Sequence, residues 1–154
     1  MIKVNVLSDE KSWNTKIKKK EEFFNKICKS FPKNFKFVHK KINFNLLLSN
    51  NKKIKELNKK FRKKNKHTDI LSFPFQKNIS NQKKIFLGDI IISFNYMNEP
   101  KDLNNREFKI KVVRIFIHGF LHLLGFDHIK EKDYKKMFKQ EKKFSILFKE
   151  KFKE

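Results

Sequence analysis

A chain of 154 residues with 39 Lys and Arg against 16 Asp and Glu carries a formal charge of +23, and Cys28 is its one cysteine. An intrachain disulfide and a cysteine-based zinc site are thereby excluded, a reducing cytoplasmic setting is expected, and the field around the molecule draws polyanions such as RNA. Leu, Ile, Val and Phe supply 52 of the residues, well above the roughly one-fifth share of disordered chains, so the sequence is expected to fold, as one domain over 1–154.

The amino terminus MIKVNVLSDE has neither the basic start nor the apolar run of a signal peptide. No stretch of about 18 apolar residues follows, so a soluble, unanchored protein without a membrane partner is expected. The positive charge comes from 36 lysines and only three arginines, Arg62, Arg106 and Arg114, in a chain without alanine. That bias is what AT-rich codons impose. Much of the lysine therefore belongs to solvated faces, and the charge supports nucleic-acid binding without proving it.

In chain order, Ile2, Val4 and Val6 alternate with polar residues and predict a short half-buried strand. From about Asn14, Ile17, Phe24, Ile27, Cys28 and Phe31 fall on one helical face that Pro32 closes, with Trp13 as a packing residue before it. Residues Lys41 to Ser49 alternate Ile42, Phe44, Leu46 and Leu48 as a second strand. Asn50 or Asn51 then caps a helix with Ile54, Leu57 and Phe61 on its buried face and Arg62 at its end. The stretch HTDILSFPF reads as a strand, placed at an edge or ending by Pro74. Gln76 to Lys84 reads as a polar loop, and IFLGDIIISF (85–94) as a strand buried on both faces. Asn95 to Asn105 reads as a loop able to cover a site. A long helix follows, apolar nearly all round from Val112, and a last helix from about Lys130 places Tyr134, Met137, Phe144 and Phe148 on one face. The order β α β α β β α α predicts an α+β domain with a mixed sheet of about four strands, a buried central helix, flanking helices and no internal repeat.

The chemistry concentrates in VVRIFIHGFLHLLGFDH (112–128). His118 and His122 are four apart and share a helical face, Gly125 is placed to take a left-handed conformation and end the helix, and His128 follows the turn. One histidine in an apolar helix is ordinarily a satisfied core residue. Three of the chain's five within eleven residues point instead to a metal, because imidazole among apolar neighbours is costly without a partner. Three imidazoles with the fourth tetrahedral position left to water form a catalytic type of zinc site, one per chain, although nickel or copper suits the same donors. Gly119 stands where a zinc peptidase of the HExxH type carries its glutamate, so that general base is missing.

HGFLHLLGFDH closely resembles the signature of the YbeY family, bacterial endoribonucleases of ribosomal RNA maturation. The resemblance is supported, in order along the chain, by NKKFRKKNKHTDILSFPF, LGDIIIS and the spacing of Met137, Glu141, Ile146 and Leu147, and it spans roughly Asn58 to Leu147. It implies zinc on His118, His122 and His128 and a catalytic role for Arg62 facing the metal. It also implies single-strand-specific cleavage in 16S rRNA 3′-end maturation and ribosome quality control, with the small ribosomal subunit or its proteins as partners and no role for DNA. After Arg62 the family commonly has Asp and Pro where this chain has Asn65 and His67, which frees the loop backbone and makes His67 a possible fourth imidazole.

Arg62 offers a planar fork for phosphate that lysine does not imitate, or is an ordinary helix-end cation. Lys59, Lys60, Lys63, Lys64 and Lys66 beside it are candidates to hold an RNA backbone without reading sequence. Asp127 either orients a ligating histidine or caps the turn before His128, and Asp69 and Asp89 are open between strand-end hydrogen bonding and the site. No general base stands out. The nucleophile is therefore either a metal-activated hydroxide or the 2′-hydroxyl of the RNA. Two other functions use the same features: a zinc peptidase or amidase, and a non-catalytic basic ribosome-assembly factor whose metal is structural.

Overall fold

The alternation of Ile2 and Val4 with polar residues builds strand β1 (Ile2–Ser8), and that of Ile42, Phe44, Leu46 and Leu48 builds β2 (Lys41–Ser49). Between them lie a short 3-10 turn (Lys11–Thr15) and helix α1 (Lys20–Lys29). Helix α2 (Asn51–Arg62), strands β3 (Ile70–Pro74) and β4 (Lys84–Ser93), the one-turn α3 (Phe94–Met97) and the long α4 (Asn105–Leu123) complete the order. This computed structural model describes residues 1–31, 40–75 and 83–126 together with Lys139 and Lys142. Apart from Lys139 and Lys142, both helical, the expected final helix lies outside the described residues, as do Pro32 and most of the expected 76–84 loop. No described helix is long and apolar enough to cross a membrane.

The four strands form one mixed sheet in the order β1-β2-β4-β3, with β1, β2 and β4 parallel and β3 antiparallel to β4. The α+β class and strand number are those expected from the sequence. Pro74 closes an edge strand, where its missing N–H costs no ladder bond. Because side chains alternate across a strand, neighbours in β4 face opposite layers. Ile90 and Ile92 join the main core with α1 and α4, whereas Ile91 joins Ile54 and Leu71 in a smaller core under α2. The main core is aromatic: the ring of Phe116 lies 4.9 Å from Phe24, and that of Phe120 lies 5.5 Å from Phe44 and 4.7 Å from Phe31. Each such buried ring contributes on the order of 2–3 kcal/mol.

Three local expectations are corrected. The first helix does not begin near Asn14. Glu10 caps the 3-10 turn by accepting from Ser12 N–H at 3.2 Å, and Trp13 is buried with its Nε1 donating to Ser49 O at 2.9 Å, so α1 starts only at Lys20. On α2 the buried positions are Ile54 and Asn58, with Leu57 half-buried, while Phe61 is 58% exposed. The smaller core ends before the last turn of that helix. Strand β4 is buried on both faces only from Ile90 to Ser93, because α2 covers only that end, and Asp89 is exposed.

A bulge in β4 makes this possible. Leu87 and Gly88 stand opposite the single Phe44 of β2. Gly88 has φ +136°, and a Cβ there would lie 2.1 Å from Phe73 O, so only glycine fits. Cys28 is buried in α1, and burial pushes its thiol well above the ordinary value. The expected result is that a disulfide reagent labels Cys28 at the unfolding rate and not at the rate of a free thiol. Rapid labelling of the folded chain would contradict this packing.

Candidate metal centre

Helix α4 starts with a reciprocal cap. Asn104 Oδ1 accepts from Glu107 N–H at 2.8 Å and its Nδ2 donates to Glu107 Oε1 at 2.6 Å. Nine residues of the helix are buried, among them Phe108, Val112, Phe116 and Phe120. One stripe remains partly open to solvent, running through Lys111, Ile115, His118 and His122 to Gly125. From Ile115 to the end of the helix the two histidines are the only polar side chains, and both lie on this partly open stripe.

Two features fix them. Gly119 lets α4 press onto the sheet, since a Cβ there would lie 2.6 Å from Ile70 Cδ1 and 3.2 Å from Ile90. Ser72 Oγ donates to the Gly119 carbonyl at 3.3 Å, joining edge strand β3 to the turn between the histidines. At the other end, Gly125 at φ +99° closes a Schellman turn. Its N–H donates to His122 O at 3.0 Å, and Phe126 N–H donates to Leu121 O at 3.1 Å.

The imidazoles converge through the same atom. His118 Nε2 and His122 Nε2 are 3.1 Å apart, with ring centroids at 4.6 Å and nearly perpendicular planes. Two nitrogens bound to zinc at about 2.0–2.1 Å with a tetrahedral angle stand about 3.3 Å apart. The pair thus fits two corners of such a site. Among the described residues no third His, Cys, Asp or Glu completes a metal cluster. His128 and Asp127, expected as third ligand and orienting carboxylate, lie outside the described residues.

Arg62 occupies the last turn of α2, exposed, in the layer across the sheet from α4. The chain turns there through Lys63 in a left-handed conformation, φ +59°. Buried Asn58 organises the basic segment: its carbonyl accepts from Lys64 N–H at 3.2 Å, and its Nδ2 donates to Lys66 O at 2.9 Å. Lys59, Lys60, Lys63, Lys64 and Lys66 are all exposed. Sequence reading missed Asn58, although a polar residue adjoining the apolar face of α2 was the available signal. The described His67 contact is with Tyr96, Nδ1 to Oη at 3.1 Å, and not with the histidine pair. Asp69 Oδ1 accepts from Ile70 N–H at 2.8 Å, and Asp89 Oδ1 from Asn45 Nδ2 at 3.0 Å, which makes both strand hydrogen-bonding residues.

The sequence comparisons bear on the same segment. The model of the family described as "Endoribonuclease YbeY" matches residues 6–148. The chain belongs to the endoribonuclease YbeY family. Membership places it among nucleases, as enzymes of the hydrolase class. It is 61% identical over 141 residues to the endoribonuclease YbeY of Pelagibacter ubique, covering 92% of each chain, and 38% identical over 136 residues to that of a Sulfurihydrogenibium species, covering 83% of this chain and 89% of the relative. The fold is similar to the solution structure of a Thermotoga maritima protein at a TM-score of 0.59 and 26% identity, covering 99% of this chain and 92% of that one.

Proposed function

We propose that this chain is a zinc-dependent, single-strand-specific endoribonuclease of ribosomal RNA processing, acting in the cytoplasm on or near the small ribosomal subunit. The observation that carries the reading is the convergence of His118 and His122 through Nε2 on the accessible stripe of α4. His128, next in the motif, is the proposed third ligand. A zinc ion held there supplies Lewis-acid polarisation of a phosphoryl oxygen and an acidified water.

The chain's own residues supply the rest. Arg62 holds the scissile phosphate with its two-pronged guanidinium as charge develops on the phosphoryl oxygens. The five lysines flanking it carry the adjoining backbone, and Asn58 keeps their turn in shape. Asp127 is proposed to orient a ligating imidazole. The proposal extends to 16S rRNA 3′-end maturation and ribosome quality control, the roles that the motif resemblance implies. A peptidase is disfavoured because Gly119 stands where HExxH carries its glutamate, and any side chain there must first displace the Ile70 and Ile90 termini.

Arg62→Ala is expected to lower the cleavage rate of single-stranded ribosomal RNA by about 10²- to 10³-fold while binding changes little, the pattern for a donor used mainly in the transition state. Mapping the product ends then names the nucleophile: a 5′-phosphate follows hydroxide attack, and a cyclic or 3′-phosphate follows 2′-hydroxyl attack. Undiminished cleavage by Arg62→Ala would remove that residue from the site. Replacing Lys59, Lys60, Lys63, Lys64 and Lys66 with glutamine should flatten the plot of log affinity against log salt by about 0.7 for each phosphate left without its lysine. An unchanged slope would exclude this segment from the RNA path.

A further inference from the structure

Among the described residues, the face of the sheet under α2 is covered only in part. Helix α2 lies over Leu47, Ile91 and Leu71 near the ends of their strands, and among the described elements none covers the two cross-strand rows beyond. One row runs Lys3, Asn43, Phe86, and the next runs Asn5, Asn45, Asp89, Phe73. Phe75 extends the β3 ladder, donating its N–H to Leu87 O at 2.9 Å, and its ring meets Phe86 at 5.5 Å. At the other side the ring of Phe61, on the last turn of α2, meets Phe73 at 5.5 Å. Phe75 and Phe61 are 68% and 58% exposed, an unfavourable placement for two large rings unless they have a partner.

Cations border these rings. Lys60 Nζ lies 5.3 Å from the centroid of Phe61, and Lys41 and Lys84 are exposed register partners beside Phe86. The Asp89 carboxylate sits in the middle of the face, held by Asn45. An acceptor there repels phosphate and suits the amino groups of bases, so a strand crossing this face would present bases to the sheet and phosphates to the lysine rim. Phe73 and Phe75 are two residues apart on one strand, hence about 6.5–7 Å apart along it, which lets extended, unstacked bases lie on successive rings.

We propose that Phe61, Phe73, Phe75 and Phe86 form a base-stacking platform for single-stranded RNA, on the sheet face opposite the histidine pair. The platform rests on the endoribonuclease reading for its ligand and deepens it: the RNA is gripped on one face and leads from there to the basic end of α2, where Arg62 is proposed to hold the scissile phosphate. It gives a structural source for single-strand preference, because paired bases have no free faces to offer.

The test is fluorescence anisotropy of the full chain with a labelled oligouridylate and with an RNA duplex of equal length, oligomer integrity being checked on a denaturing gel. The variants are Phe61→Ala with Phe75→Ala, both at exposed positions, and the rescue pair Phe61→Trp with Phe75→Trp. Alanine at both positions is expected to weaken oligouridylate binding by on the order of a hundredfold, with duplex binding and the salt slope unchanged, and tryptophan should restore it. Unchanged oligouridylate affinity, or equal loss for the duplex, would overturn the platform. So would retained RNA binding with lost capture of a small-subunit protein, which assigns the face to a protein partner. If the parent binds through the rings but cuts no RNA, the nuclease reading fails and the platform stands. If it cuts but ignores ring loss, the reverse holds.

Discussion

Alanine at His122 is expected to abolish cleavage, reducing the rate by at least about a thousandfold, while leaving the metal-free fold intact. The magnitude follows from losing a ligand of an ion whose polarising effect is worth several kcal/mol in the transition state. The intact fold follows from position: His122 lies on the partly open stripe of α4, and the buried residues of that helix are apolar apart from Gly119. Two melts check the separation of these effects. The parent should gain thermal stability on addition of zinc, and His122→Ala should lose that gain while melting like the parent in chelator. His118→Ala should behave alike, since its Nε2 is the other half of the 3.1 Å pair. A variant that kept its activity, or that unfolded in chelator when the parent did not, would turn the histidines into structural residues.

The second large effect is at Gly119. Substitution by glutamate, which writes the HExxH pattern into this chain, is expected to destabilise the protein by about 3 kcal/mol or more and to create no peptidase. Even a Cβ meets Ile70 Cδ1 at 2.6 Å and the Ile90 side chain at 3.2 Å. A full side chain must displace these isoleucine ends or the helix, and its carboxylate would be buried without a partner. Gly119→Ala should cost less than glutamate, because isoleucine termini can shift and alanine is the better helix former. Chemical denaturation of the three chains checks the order. Equal stability of parent and Gly119→Glu would show that the close approach is not real.

What could be read in the sequence is instructive at particular residues. The β1 and β2 patterns were legible because a half-buried strand repeats every second residue, and Lys41–Ser49 was bounded as observed. The histidine pair was legible because four-residue spacing on an apolar helix has one geometric meaning. The sequence marks Trp13 as a packing residue, but its hydrogen bond to Ser49 O joins residues 36 apart in the chain and leaves no local mark, so the late start of α1 is not legible. Periodicity assigns Phe61 to the core because it reports a helical face and not what lies beneath that face. Beneath that last turn the smaller core has already ended, and the ring meets Phe73 at the surface instead. In the sequence Gly119 shows only as a missing base, because its packing role depends on the height of α4 above β3 and β4, a tertiary quantity. The half-open face of β4 was hidden for the same reason: the bulge at Gly88 and the length of α2 decide it.

The measurement that bears most directly on the account is cleavage of one labelled ribosomal RNA segment, offered single-stranded and locked in a duplex, by full-length protein stripped with chelator and then reloaded with zinc. Stripped protein is expected not to cut, reloaded protein to cut the single strand alone, and reloaded His122→Ala to cut neither. Cutting that persisted in the stripped protein and in His122→Ala alike would contradict this expectation, and would place any ribonuclease activity outside the histidine pair.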